Sequence, residues 1–403
     1  MKNVVENTIC LACGSHHLKT ALDLGNQALA NSFLSSPKDP EQTYPLAVRL
    51  CHHCFHLQLS HSVSPEIIYK NYLYATGTNT TIQNFSKWFA TWVDEYTNSR
   101  SDTVLDIGCN DGTQLNYFSD MGYNTFGIDP AKNLYARSSL RHQVICDFFS
   151  ETSAQELAKN SYDVVIAQNV FAHNPDPLSF MNSCKLLMND DTLLFIQTSQ
   201  ANMVINNEFD TIYHEHINFF NVNSMNKLSE RAGINLIDVV KTPIHGTSYI
   251  FVLSKTLSRP RHIANIIALE QAQNLLTEKR YTVWANTVRE NVHELNSTIN
   301  VYRALGYTIV GYGAAAKGNT LLNFGKIELD YIIDDSPLKQ GKYTPGQHIP
   351  VTNIERLEDE SEIKIMFVPL AWNFFDEIKN RIQTVRHNTE DRFLKYFPEV
   401  SVT

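Results

Sequence analysis

The chain is predicted to be an α/β protein in which a metal-stapled N-terminal module precedes two Rossmann-like domains. Three observations predict this. Four cysteines stand in two short pairs, Cys10-x-x-Cys13 and Cys51-x-x-Cys54. From about residue 80 to 255, apolar runs alternate with helical patterns, the signature of a parallel sheet covered by helices. A second strand, glycine turn and helix begins at Tyr307-Thr-Ile-Val-Gly-Tyr-Gly-Ala-Ala-Ala-Lys-Gly318. The expected boundaries are 1–75, 76–258 and 259–403.

The cysteine pairs come first in the chain. Two C-x-x-C knuckles bring four thiolates to tetrahedral reach, and Zn²⁺ suits sulfur without imposing a geometry of its own. A four-sulfur site leaves no open position, so Cys10, Cys13, Cys51 and Cys54 are expected to hold structural zinc. An iron–sulfur centre, or one pair working alone in redox chemistry, is the alternative. His52, His53 and His56 crowd the second knuckle, either replacing a thiolate or standing outside the ligand set. Cys109, Cys146 and Cys184 read as small buried hydrophobes.

Composition fits this plan. A chain of 403 residues is long enough for two or three domains. With 43% hydrophobic and 19% charged residues it can build a proper core. A net charge of -9 argues against nucleic acid as the partner, because phosphates are met by clustered Lys and Arg. No run reaches the ~18 apolar residues of a membrane span, and Met1-Lys-Asn-Val-Val-Glu6 lacks the layout of a secretory signal. An odd number of cysteines, seven, suits reduced thiols. The expectation is a cytoplasmic protein, a monomer or weak homo-oligomer, that binds neither nucleic acid nor membrane.

In the central region Thr103–Gly108, Asn124–Asp129, Tyr162–Gln168 and Leu193–Gln197 read as buried strands. The first runs into Asp106-Ile-Gly108-Cys-Asn110-Asp-Gly112, a tight turn where glycine lets backbone approach a ligand. Its D-x-G-x-x-x-G spacing differs from the pyrophosphate-binding G-x-G-x-x-G. Asp129, at the end of the next strand, is placed to accept from ribose hydroxyls. Cys146-Asp147-Phe148 ends a third strand; an aspartate there suits an adenine amino group and an aromatic suits its ring. Over about 80–200 these features resemble the class I S-adenosylmethionine-dependent methyltransferases. The resemblance implies that Asp106, Gly108, Asn110, Gly112, Asp129, Pro130, Asp147, Phe148, Gln168 and Asn169 bind S-adenosylmethionine. A dehydrogenase turn is the other reading.

Tyr213-His-Glu-His216 places three kinds of proton-transferring group in four residues, beside Phe209, Phe219 and Phe220. Strand-like alternation would point Tyr213 and Glu215 one way and His214 and His216 the other. Methylation at carbon needs a base next to a carbonyl and a donor for the oxyanion, which His, Glu and Tyr supply. Metal ligation by the two histidines or a structural polar cluster would use the same residues.

Over essentially its full length the chain resembles the nucleotide-sugar C-methyltransferases that act on 4-keto-deoxysugars. The paired C-x-x-C, Tyr72-Leu-Tyr-Ala-Thr-Gly77, Asn169-Val-Phe-Ala-His173 with Asp176, and Tyr213–His216 carry the likeness. Gly311-Tyr-Gly-Ala-Ala-Ala-Lys-Gly318 and Asp334-Asp-Ser-Pro-Leu-Lys-Gln-Gly-Lys-Tyr-Thr-Pro-Gly346 add to it. The resemblance implies His216 as general base, with Glu215, Tyr213 and His173 lining the site and Tyr72 or Tyr74 reaching in from the zinc module. It places Gly311, Gly313, Ala315, Lys317, Asp334, Lys339 and Tyr343 against a nucleoside diphosphate-linked keto-deoxysugar.

Two departures stand out. Phe55 follows Cys54 where the family usually has glycine, and Ile250 stands two places after Ser248 where an arginine is usual. The function implied is methylation at C3 of a nucleotide-linked 4-keto-6-deoxysugar through an enolate, in branched-sugar biosynthesis. An NAD(P)-dependent sugar-nucleotide oxidoreductase and a catalytically inactive sugar-nucleotide-binding homologue are the alternatives.

Overall fold

The computed structural model describes residues 3–68, 80–199, 201–244 and 247–403. Tyr72, Tyr74, His245 and Gly246 lie outside them. No helix among the described residues is long and apolar enough to cross a membrane.

The central sheet has seven strands, in the order Asn235–Thr242, Ser248–Ser254, Met188–Ser199, Tyr162–Gln168, Thr103–Ile107, Asn124–Ile128 and Gln143–Ile145. Ser248–Ser254 runs antiparallel to both neighbours, and the other adjacent pairs are parallel. Val104, Leu105, Val164, Val165 and Ile166 are fully buried, as strands covered on both faces must be. The third strand stops at Ile145, so Cys146, Asp147 and Phe148 lie just past its end. Strand order reverses between Thr103–Ile107 and Tyr162–Gln168, which opens a crevice at their carboxyl ends.

Helix ends follow local chemistry. Ser150 and Asn221 each cap a helix through a reciprocal box, and Asp176 caps the helix that opens with Pro177. Gly233, at φ 66°, closes Val222–Ala232 in the left-handed region.

In the N-terminal module Leu18–Ala28, Thr43–Cys51 and Leu57–Leu59 form an antiparallel sheet. Its fourth strand, Asn218–Phe219, comes from the central region, immediately after the Tyr213–His216 motif. Two helices, Pro260–Ala272 and Glu278–Ala304, follow the central sheet. The longer one puts Tyr281, Trp284, Val288, Leu295 and Ile299 into one core with Leu22, Val48 and Leu57 on one side and Leu321, Ile332 and Val368 on the other.

The C-terminal sheet runs Val351–Thr352, Tyr331–Ile333, Thr308–Tyr312, Ile365–Pro369, Arg392–Lys395 and Ser401–Val402. The last strand is antiparallel to its neighbour and the rest are parallel. The helix after its glycine turn spans Ala316–Gly325.

Candidate metal centre and active site

The four knuckle sulfurs all lie within 4.8 Å of one another. Tetrahedral Zn²⁺ with bonds of about 2.3 Å separates its sulfurs by about 3.8 Å; Cys10 to Cys54 and Cys13 to Cys51 are each 3.6 Å. The residue after each second cysteine is left-handed: Gly14 at φ 78° and Phe55 at φ 58°. That backbone turn is why glycine suits the position. Phe55 adopts it while its carbonyl accepts from Asn221 Nδ2 at 2.6 Å. None of the three histidines replaces a thiolate. His56 is buried and bonded to Asn218, His52 lies near Glu278, and His53 is exposed. The donor set fits zinc.

The cofactor crevice opens where strand order reverses. Gly108 and Gly112 have φ of 80° and 81°. A Cβ at Gly108 would come within 2.3 Å of Val170 Cγ1, so the first turn and the loop after Tyr162–Gln168 are nearly in contact. Asp129 accepts from the amides of Asn110 and Ala131 at 2.9 and 2.8 Å, which fixes the turn at the edge where a ribose would lie. Asn169 takes a φ of 56° and donates its amide to Gln197. Phe148 leaves 48% of its surface exposed beyond the third strand, a free face for stacking. A close-approach glycine turn, an aspartate at the strand end and an exposed aromatic face suit an adenosine, so the cradle fits the nucleoside of S-adenosylmethionine.

Burial, reinforced by the neighbouring Asp129, pushes Asp106 up to about 8. An unfolded aspartate titrates near 4, so between these values the folded chain holds a proton that the unfolded chain has lost. Stability therefore falls as pH rises from about 4 to 8. Asp106→Asn should raise the Tm of the cofactor-free protein at pH 8 and change it little at pH 4, as read by scanning calorimetry.

Tyr213–His216 is a turn, closed by the His216 amide donating to the Tyr213 carbonyl at 2.9 Å. The strand-like alternation expected from the sequence is therefore replaced. Residues i and i+3 meet, and the Tyr213 and His216 rings lie 4.1 Å apart. His216 Nδ1 sits 2.9 Å from the Thr211 carbonyl. A carbonyl only accepts, and the Thr211 hydroxyl, 3.1 Å from the same nitrogen, can accept as well, so this pair of contacts favours the hydrogen on Nδ1 and the lone pair on Nε2. Nε2 receives the Tyr213 hydroxyl at 2.9 Å. The His173 ring is 5.1 Å from that of His216. Burial holds His173 down at about 4, so it is neutral near pH 7.

The neighbours of this pair face the zinc module. His214 is buried, edge-on to Tyr44 and 3.3 Å from its carbonyl. Glu215, raised by burial, accepts from Asn31 Nδ2 at 2.9 Å. The turn is tied on every side: Ile217 donates to Ala172 beside the cofactor loop, Thr320 Oγ1 to the Ile212 carbonyl, and Trp372 Nε1 to Asp210. All three parts of the chain thus hold one short segment.

At the C-terminal turn Gly313 has a φ of 89°. Ala315 precedes the helix, and Lys317 lies over the Trp372 ring at 5.3 Å. Asp334 accepts from the Ala314 and Ser336 amides, with Lys339 at 3.3 Å. Tyr343 pairs its backbone with Leu34 of the N-terminal module. Gly311 differs from the expected phosphate contact. It is inside the sheet, where a Cβ would meet Ile332 and Leu329 at 2.9 Å, so packing requires it. Ile250, the second departure, is likewise a core residue.

A cofactor crevice, a structural zinc centre and an imidazole–phenol pair beside the crevice define an S-adenosylmethionine-dependent methyltransferase. Three family models match in succession: the zinc-binding-domain model over residues 10–69, a methyltransferase domain over 82–239, and the C-methyltransferase C-terminal domain over 243–398. The C-methyltransferase NovU of Streptomyces niveus is 29% identical over 407 aligned residues, spanning 98% of this chain and 96% of its own. The ubiquinone biosynthesis O-methyltransferase of Cupriavidus pinatubonensis is 26% identical and covers 41% of this chain and 72% of its own. Magnesium protoporphyrin IX methyltransferase of Synechocystis PCC 6803 overlays 43% of this chain and 79% of its own, at 14% identity and a TM-score of 0.33. In sequence the chain is thus similar to C-methyltransferases across all three of its domains.

Proposed function

We propose that this C-methyltransferase acts on a nucleoside diphosphate-linked 4-keto-6-deoxysugar and methylates C3 through an enolate. The observation that carries the reading is the His216 Nε2 lone pair, 2.9 Å from the Tyr213 hydroxyl, on a turn tied to Ala172 at the mouth of the cofactor crevice. O- and N-methylation need little beyond proximity, whereas a carbon nucleophile must first be made.

When substrate binds, the Tyr213 hydroxyl turns from Nε2 to the C4 oxygen, and the freed Nε2 takes the C3 proton. The Tyr213 hydroxyl and the neutral His173 imidazole, both donors, then hold the negative charge that develops on the C4 oxygen. Thr211 keeps the imidazole in the tautomer this requires. S-adenosylmethionine, when bound, would supply an electrophilic methyl, its sulfur–methyl bond breaking as the new carbon–carbon bond forms and the neutral thioether S-adenosylhomocysteine leaving. Gly108, Asn110, Gly112, Asp129 and Phe148 orient that cofactor, and Gln168 and Asn169 floor the crevice. The backbone turn at Gly313–Ala315 and Lys317 would take the diphosphate, as amides at a helix start do. Zinc acts at a distance, by shaping the module that carries Asn31 and Tyr44.

Tritiated S-adenosylmethionine assayed against a panel of keto-sugar nucleotides tests this. The expected product carries the tritiated methyl group on C3, and with enzyme but no methyl donor the substrate exchanges its C3 proton with deuterated water. Label found on oxygen, or no transfer to any keto sugar, overturns it.

A further inference from the structure

We infer that Thr320, Asn319 and Asn31 form a positioning relay through which the helix after the C-terminal glycine turn holds the catalytic turn in place. This rests on the proposed reading, in which that helix start grips the substrate's diphosphate. Two branches leave one helical turn. Thr320 Oγ1 donates to the Ile212 carbonyl at 3.1 Å, one residue before Tyr213. Asn319 Nδ2 donates to the Ala30 carbonyl at 2.7 Å, and the next residue, Asn31, donates to Glu215 at 2.9 Å.

Asn319 and Thr320 are each 1% exposed, so both bonds are made away from water. Buried polar groups are costly unless paired, and apolar side chains would join helix and turn without that cost. Two acceptors at the relay's ends, Asn319 Oδ1 and Glu215 Oε2, are buried without a hydrogen-bond partner. The Asn319 amide is thus held for its donor alone, and Glu215 keeps one oxygen free of protein. Lys317 lies two residues before Asn319 on the same turn of helix. A phosphate seated there therefore presses on the groups that aim Tyr213, Glu215 and His216. One end of the substrate would set the geometry at the other.

Variants that delete one donor at nearly constant shape test the relay: Thr320→Val, Asn319→Asp and Asn31→Asp. Each should lower kcat about 10-fold or more, from the loss of a single buried hydrogen bond to the site. The KM for the sugar nucleotide should stay within about 3-fold, and S-adenosylmethionine affinity should be unchanged. Thr320→Ser should restore kcat. Asn319→Asp combined with Asn31→Asp should be no slower than either alone, because both lie on one branch. Additive losses, or a rise in KM at constant kcat, would overturn the relay. A wild type inert toward every sugar nucleotide would sink the substrate reading instead. The relay would then be read from the carboxyl ¹³C resonance of Glu215, assigned with Glu215→Gln. Asn319→Asp and Asn31→Asp should displace it alike, and an unmoved resonance in Asn319→Asp refutes the inference.

Discussion

Cys54→Ser should leave a protein that retains no zinc at its knuckles and unfolds about 10 °C or more below the wild type. Structural zinc contributes an apparent ~10–16 kcal/mol to the domains it closes, against a net stability of about 5–15 kcal/mol for a typical protein. Melting entropy scales with length, so for a chain of 403 residues each kcal/mol moves Tm by only about 1 °C. The destabilisation also travels. Cys10, Ala12, Cys51 and Cys54 share one core with Leu105, Ile128 and Met225 of the central domain. Helix Val222–Ala232 is held to the knuckles by Asn223 bonding the Cys54 carbonyl and Arg231 bonding that of Ala12. Loss of zinc should therefore end turnover as well, by releasing Asn31 and Tyr44 from the Tyr213–His216 turn. Zinc release followed with a chromogenic chelator, alongside a thermal melt, checks this. A zinc-free variant that melts with the wild type and still turns over would show that the metal does not hold the module.

What was legible in the sequence was local. The knuckles, the glycine turn with Asp129, and the second turn at Gly313 are each written within a few dozen consecutive residues. Backbone requirements fix their residue types, and Phe55 at φ 58° shows the knuckle imposing its turn even without glycine. A period of two sets Tyr213 and His216 on opposite sides, whereas a bond between residues 213 and 216 folds the segment on itself and brings them together. Asn31, Tyr44, Thr320 and Trp372 carry no mark in the sequence. Asn31 meets Glu215 across 184 residues and Asn319 meets Ala30 across 289. Each is a lone polar or aromatic residue with no local pattern around it. An aid to finding them lay in the edge strand: Asn218–Phe219 completes the zinc module's sheet, which forces the motif just before it against that module. Such pairings are set by how sheets are shared, and no window of sequence displays that.

His216→Asn should lower kcat about 10²–10⁴-fold, the range a positioned general base supplies, while S-adenosylmethionine binds as in the wild type. Asparagine is close to imidazole in reach and can still meet Thr211 and Tyr213, so the turn should keep its shape; what it lacks is a basic lone pair. The contacts proposed for the cofactor lie on other elements, the turn at Gly108–Gly112 and the strand end whose Asp129 braces it, so calorimetric affinity should not follow kcat. Exchange of the sugar's C3 proton with deuterated water, measured without methyl donor, should vanish in the same variant. Tyr213→Phe should behave differently. It removes a donor at 2.9 Å from Nε2 but leaves the base, so exchange should slow by about 10- to 100-fold without disappearing. Near-normal exchange in His216→Asn would transfer the base role away from this imidazole. Glu215 is then the group to test, since its buried carboxyl lies on the same turn and burial has already raised its proton affinity.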